Sequence, residues 1–111
     1  MKISYTVTEN VVVKNENGTA KLNDNNCGSW LQHWKNYGGN DNAPLCCISG
    51  CFNIAEHGAH VTRPNAKNKD YKTHLYIVPM WAHHNGMHGQ NLTAIAGTVF
   101  VRANQSETCG E

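Results

Sequence analysis

The segment Cys46-Cys47-Ile48-Ser49-Gly50-Cys51 places three thiols within six positions, and nothing else in the chain restricts its folding as strongly. Such a cluster either coordinates a metal, packs as small apolar groups, or does redox chemistry. Two thiols can meet one ion through Cys46 with Cys51 or through Cys47 with Cys51. Gly50 assists either choice, because a chain turning round an ion needs a sharp bend that points both sulfurs inward. Farther along stand His83, His84 and His88, imidazoles able to complete a tetrahedral set. Thiolate and imidazole together favour zinc over magnesium or calcium. Cys46, Cys47, Cys51, His84 and His88 are therefore the candidate ligands of one structural zinc.

The compartment bears on this reading. The amino terminus, Met1-Lys2-Ile3-Ser4-Tyr5-Thr6-Val7, alternates apolar and polar residues and lacks the apolar core of a signal peptide. No segment approaches the ~18 consecutive apolar residues of a membrane span. The expected location is the cytoplasm, where thiols stay reduced and clustered cysteines serve as ligands or core residues. Five cysteines also cannot all pair. A Cys27–Cys109 bond is the alternative under oxidising conditions. The sequons at Asn17, Asn91 and Asn104 are what an Asn-rich chain produces by chance.

The length of 111 residues matches one domain, 1–111, with a single small core. Ile3, Tyr5 and Val7 share one face of an extended segment, and the run Val11-Val12-Val13 is β-branched, which predicts a strand or loose hairpin. Asn15-Glu16-Asn17-Gly18 carries turn chemistry, through which a second strand at Ala20 and Leu22 could close. Trp30, Leu31, Trp34 and Tyr37 lie at helical spacing, with Asn26 or Ser29 as cap and Gly38-Gly39 as stop. This aromatic stripe reads as core packing. Thr62 to Tyr71 reads as a polar, lysine-containing loop. His74 to Met80 has the propensity of a strand bounded by Pro79, Trp81 to Asn85 could form one helical turn, and Thr98 to Ala103 reads as a strand.

The order of Cys46 to Cys51, Gly58-Ala59-His60-Val61, Tyr76-Ile77-Val78-Pro79-Met80 and His84-Asn85 resembles the treble-clef zinc fold of HNH-type domains. In that family a cysteine knuckle precedes a strand ending in a catalytic histidine. An apolar "Val-Pro-Leu" strand, a Cys-x-x-Cys pair opening a helix, and an Asn follow. The resemblance covers residues 46–88 and implies a small α+β domain with a treble-clef or ββα-metal middle and additional strands from the two ends. It also implies that His60 is a general base and Asn85 a second catalytic residue, with a second divalent ion at the reaction site. Trp81 stands where the family has a ligand and cannot coordinate, so the fourth ligand passes to His83, His88 or a spare cysteine.

Two functions follow from the resemblance. One is a binding module for nucleic acid or protein that keeps the metal and has lost the reaction. The other is an HNH-type endonuclease using His60, with Arg63, Lys67, Lys69 or Lys72 on the phosphate. A metal-free accessory protein is the third reading. Net charge is only +1 with the basic residues scattered, which offers little phosphate neutralisation to a tight nucleic-acid binder.

Overall fold

The computed structural model describes residues 4–16, 30–38, 44–87 and 89–103. Within them lie six strands and three helices: β1 (Ser4–Thr6), β2 (Val11–Asn15), α1 (Trp30–Gly38), β3 (His57–Thr62), α2 (Lys69–Thr73), β4 (Tyr76–Met80), α3 (Ala82–Asn85), β5 (Asn91–Ala94) and β6 (Val99–Arg102). All pairings are antiparallel, in the order β1-β6-β4-β3-β2-β5. The described residues thus build one α+β unit around a single sheet.

The sheet curls, and the cysteine segment closes the curl. Ser49 N donates to Thr93 O at 2.8 Å, Ile95 N donates to Cys47 O at 2.9 Å, and Ile48 bridges Ala94. On its other side the same segment reaches β4, where Cys47 N donates to Pro79 O at 3.0 Å. Backbone hydrogen bonding therefore runs from β4 through β3, β2 and β5 to the cysteine segment and back to β4. Closure of this kind satisfies strand edges that would otherwise face solvent. The enclosed core contains Val13, Ala59, Val61, Val78, Met80 and Ala94.

Pro79 does not end β4; it sits inside it, paired with Gly58. Proline is tolerated there because β6 pairs only with Tyr76 and Ile77, so no ladder acceptor waits for the missing N–H. The carbonyl of Pro79 is left to receive Cys47.

Helix α1 packs on the opposite face, with Trp34 against Ile77 and Val101. Its start presses on Gly58, where an added Cβ would stand 2.5 Å from the Trp30 carbonyl carbon and 2.7 Å from Leu31 N. Only a glycine fits that approach. The aromatic stripe serves the core as expected, and Trp34 Nε1 donates to Val99 O at 2.7 Å.

Strand partners depart from the amino-terminal expectation. β1 and β2 do not pair with each other; β1 joins β6, and β2 joins β3 and β5. Alternation marks a strand and its buried face but carries no information on which strand it meets. The expected strand at Ala20 and Leu22, the caps Asn26 and Ser29, Cys27, Cys109 and His88 lie outside the described residues. The loop expected at Thr62 to Tyr71 contains the start of α2, whose cap Asn68 accepts from Asp70 N at 2.9 Å. β5 escaped the sequence reading because Asn91-Leu92-Thr93-Ala94 is polar and short.

Candidate metal centre

Two turns and one short helix assemble the site. Ile48 O accepts from Cys51 N at 3.0 Å and Gly50 has φ +80°, the geometry of a type II turn, so the bend expected at Gly50 is present. Leu45 bridges Ile54, and Cys46 N donates to Asn53 O at 2.9 Å, so the ends of the knuckle are tied together. α3 follows β4 directly. Its N-terminus receives Glu56 Oε1 from across the fold, which accepts from Ala82 N at 3.3 Å.

The ligand atoms of Cys46, Cys51 and His84 lie within 4.8 Å of one another. Cys46 Sγ is 3.5 Å from His84 Nδ1. Sulfur and nitrogen ligands at zinc distances, about 2.3 and 2.0–2.1 Å, stand about 3.6 Å apart around a tetrahedral ion. The observed pair already has that spacing, so the residues fit a thiolate- and imidazole-binding metal.

Backbone amides reinforce both sulfurs. Burial raises the Cys46 thiol above its ordinary range, while the backbone N–H groups of Trp81 and Ile48 donate to the sulfur and act the other way. At Cys51 the small burial effect is outweighed by the Asn53 backbone N–H, the Asn53 side-chain amide and the Cys46 thiol, and the thiol falls below its usual range. Asn53 Nδ2 lies 3.6 Å from Cys51 Sγ. At each cysteine one donating amide lies two residues farther along, Ile48 for Cys46 and Asn53 for Cys51, and Trp81 adds a second at Cys46.

The choice between Cys46 and Cys47 is made by the backbone. Their amides point to opposite sides, to Asn53 O and Pro79 O, which is the alternation of extended chain. Cys46 therefore faces Cys51 and His84, while Cys47 packs in the core and burial drives its thiol strongly upward. Cys47 lies outside the group of converging ligands. Among the described residues that group has three members, and His83 is an exposed neighbour on α3 that does not belong to it.

His60 lies elsewhere. It is 6% exposed, on the face of β3 covered by α1, with the Trp30 ring 4.7 Å away edge-on. The alternate residues Ala59 and Val61 share the opposite face with Cys46 and the enclosed core. Burial, then the nearby His33, lower the pKa of His60 to about 4. Asn85 contributes its backbone: the side chain of Asn15 donates to Asn85 O at 2.5 Å and to His84 O at 3.4 Å. Arg63, expected near a phosphate, instead lies over the rings of Tyr5, Tyr71 and Phe100 and donates to Tyr5 Oη at 3.4 Å.

Three positioning residues were not found from the sequence. Asn15 stands in a stretch whose composition predicts a turn, yet it is 1% exposed and holds the carbonyls of α3 from β2. Glu56 gave no signal, since its target is 26 residues away. Asn53 could have been recognised by its place two residues after Cys51.

The class defined by this geometry is a curled antiparallel α+β unit with a Cys2His group at its closure. No protein family, curated protein or solved structure matches the chain.

Proposed function

We propose that the protein is a small zinc-binding module in which Cys46, Cys51 and His84 hold one structural ion, and that it acts by binding another protein. The observation carrying this reading is the convergence of two sulfurs and an imidazole nitrogen within 4.8 Å. A bound ion would tie the knuckle to α3, and with it the segment that closes the sheet. When bound, zinc supplies cross-linking strength that a small core lacks.

The order of knuckle, β3, β4 and α3 is the order that a treble-clef, HNH-like reading calls for. A binding role is favoured over nuclease chemistry because His60 is buried beneath Trp30 and Arg63 is engaged by aromatic rings. A protein partner is favoured over nucleic acid by the side chains around the knuckle: Leu45, Phe52 and Ile54 are exposed at 54, 83 and 60%. Exposed apolar groups of this kind suit protein contacts, whereas a net charge of +1 suits phosphates poorly.

The test is metal content of protein purified without chelator, followed by visible spectroscopy of the cobalt-substituted form. One ion per chain with thiolate-to-cobalt charge transfer, lost in Cys46→Ser and His84→Ala, is expected. Protein that folds with no metal and takes up none would refute the centre. Plasmid incubation with magnesium or manganese tests the nuclease alternative, and no cleavage is expected.

A further inference from the structure

We infer that Cys46 and Cys51 form a dithiol that hydroperoxides convert to a disulfide, and that closing this bond expels the metal ion. The second half rests on the proposed metal centre; the first rests only on the placement of the two sulfurs.

The two cysteines are unlike in exposure, and this sets their roles. Cys51 is half-buried and borders an open hollow of about 400 Å3 lined by Ser49, Gly50, Phe52, Asn53, Trp81 and His84. Cys46 is only 2% exposed. A small oxidant entering the hollow meets the sulfur of Cys51 first, and Cys46 waits within 4.8 Å as the resolving thiol. Bond formation requires the sulfurs to approach to about 2.0 Å. Cys51 follows a turn whose central residues Ser49 and Gly50 are exposed, so the movement disturbs no packed side chain there. Cys47 lies outside the group of converging ligand atoms, which pairs Cys46 with Cys51.

The chemistry balances in two steps. The Cys51 sulfur attacks the peroxide, the O–O bond breaks, and the alcohol (or water, from hydrogen peroxide) departs with the thiol proton, leaving a sulfenic acid. The Cys46 sulfur then displaces the hydroxyl from Cys51, forming the S–S bond and one water that carries the second thiol proton. Two thiols lose two electrons, and the peroxide accepts them. In the metal-loaded form two solvent protons replace the thiol protons, and the divalent ion leaves because neither sulfur can any longer donate a thiolate.

The experiment treats the full, zinc-loaded chain with one equivalent of hydrogen peroxide. Free thiols are blocked with N-ethylmaleimide, disulfides reduced, and the newly released thiols labelled with iodoacetamide before fragmentation mass spectrometry. Iodoacetamide label is expected at Cys46 and Cys51, with N-ethylmaleimide at Cys47. One zinc per chain should reach a chromogenic chelator in step with thiol loss, and dithiothreitol with added zinc should reverse both. In Cys46→Ser the Cys51 sulfenic acid should persist and be trapped by dimedone; in Cys51→Ser no disulfide label should appear at Cys46. Label at Cys47, pairing through Cys27 or Cys109 instead, or oxidation of Cys51 to sulfinic acid without pairing would overturn the inference. Should the chain prove to bind no zinc, the metal-release half falls, while the labelling pattern of the reduced chain still decides the dithiol half.

Discussion

The imidazole of His84 and the sulfur of Cys46 stand 3.5 Å apart across 38 residues of sequence. That contact joins the turn before β3 to the helical turn after β4, and an ion placed there would lock both ends of the β3–β4 pair. It also explains why Cys46 carries amides from two directions, Ile48 on its own turn and Trp81 at the end of β4.

Removing the metal should loosen the closure of the sheet. Structural zinc contributes binding free energy of roughly 10 kcal/mol or more to small domains, and this appears as folding stability. Thermal denaturation with and without a chelator should differ by well over 10 °C, a magnitude expected when several kcal/mol are lost from a domain of this size. Cys51→Ser should abolish the difference, and Cys47→Ala should preserve it even if both melting points fall.

Asn15 should matter to the metal without touching it. Its side-chain amide is buried and donates to the carbonyls of Asn85 and His84. Asn15→Leu would strand those carbonyls, costing about 1–3 kcal/mol in urea denaturation. Because α3 carries His84, zinc affinity measured by competition with a chelator should fall about 10-fold, as is typical when a ligand loses its support.

Gly58→Ala should displace α1. The added methyl meets the backbone of Trp30 and Leu31, which cannot yield as a flexible side chain would. A loss of about 1–3 kcal/mol is expected from overpacking of this kind. Tryptophan emission should report altered packing of Trp30 and Trp34, while zinc stoichiometry should hold, since the change lies on the other face of the sheet.

Acid should destabilise the metal-free protein through its buried histidines. Burial holds His60 at about 4 against an ordinary value of 6.5, and His33 is also lowered by burial. Between those limits the unfolded chain binds protons that the folded chain refuses, so stability is complete above about pH 6.5 and declines as pH falls toward 4. The full effect of His60 is about 3 kcal/mol. Urea denaturation of chelator-treated protein from pH 7.5 to 4.5 should reveal this slope, and His60→Phe should flatten it. An equal slope in the variant would place the effect elsewhere.

What could be read from the sequence was local. The bend at Gly50, the aromatic face of α1, the strand at Tyr76–Met80 and the turn at Ala82–Asn85 all follow from residue types within a few positions of one another. Backbone propensity, turn stereochemistry and periodicity act over that range. The pairing of Cys51 with a histidine after β4 was also legible, because few residue types bind metal and this chain groups them.

The tertiary structure decided the rest. Cys46 rather than Cys47 faces the site because Cys47 must give its amide to Pro79 when the sheet closes. His60 is buried because α1 settles on Gly58 and brings Trp30 over its ring. Asn15 supports α3 because β2 takes β3 and β5 as neighbours instead of β1. Each of these outcomes depends on which strands pair and on which face of the sheet a helix lands. Those choices are set by burial summed over the whole chain, and no short run of residues encodes them.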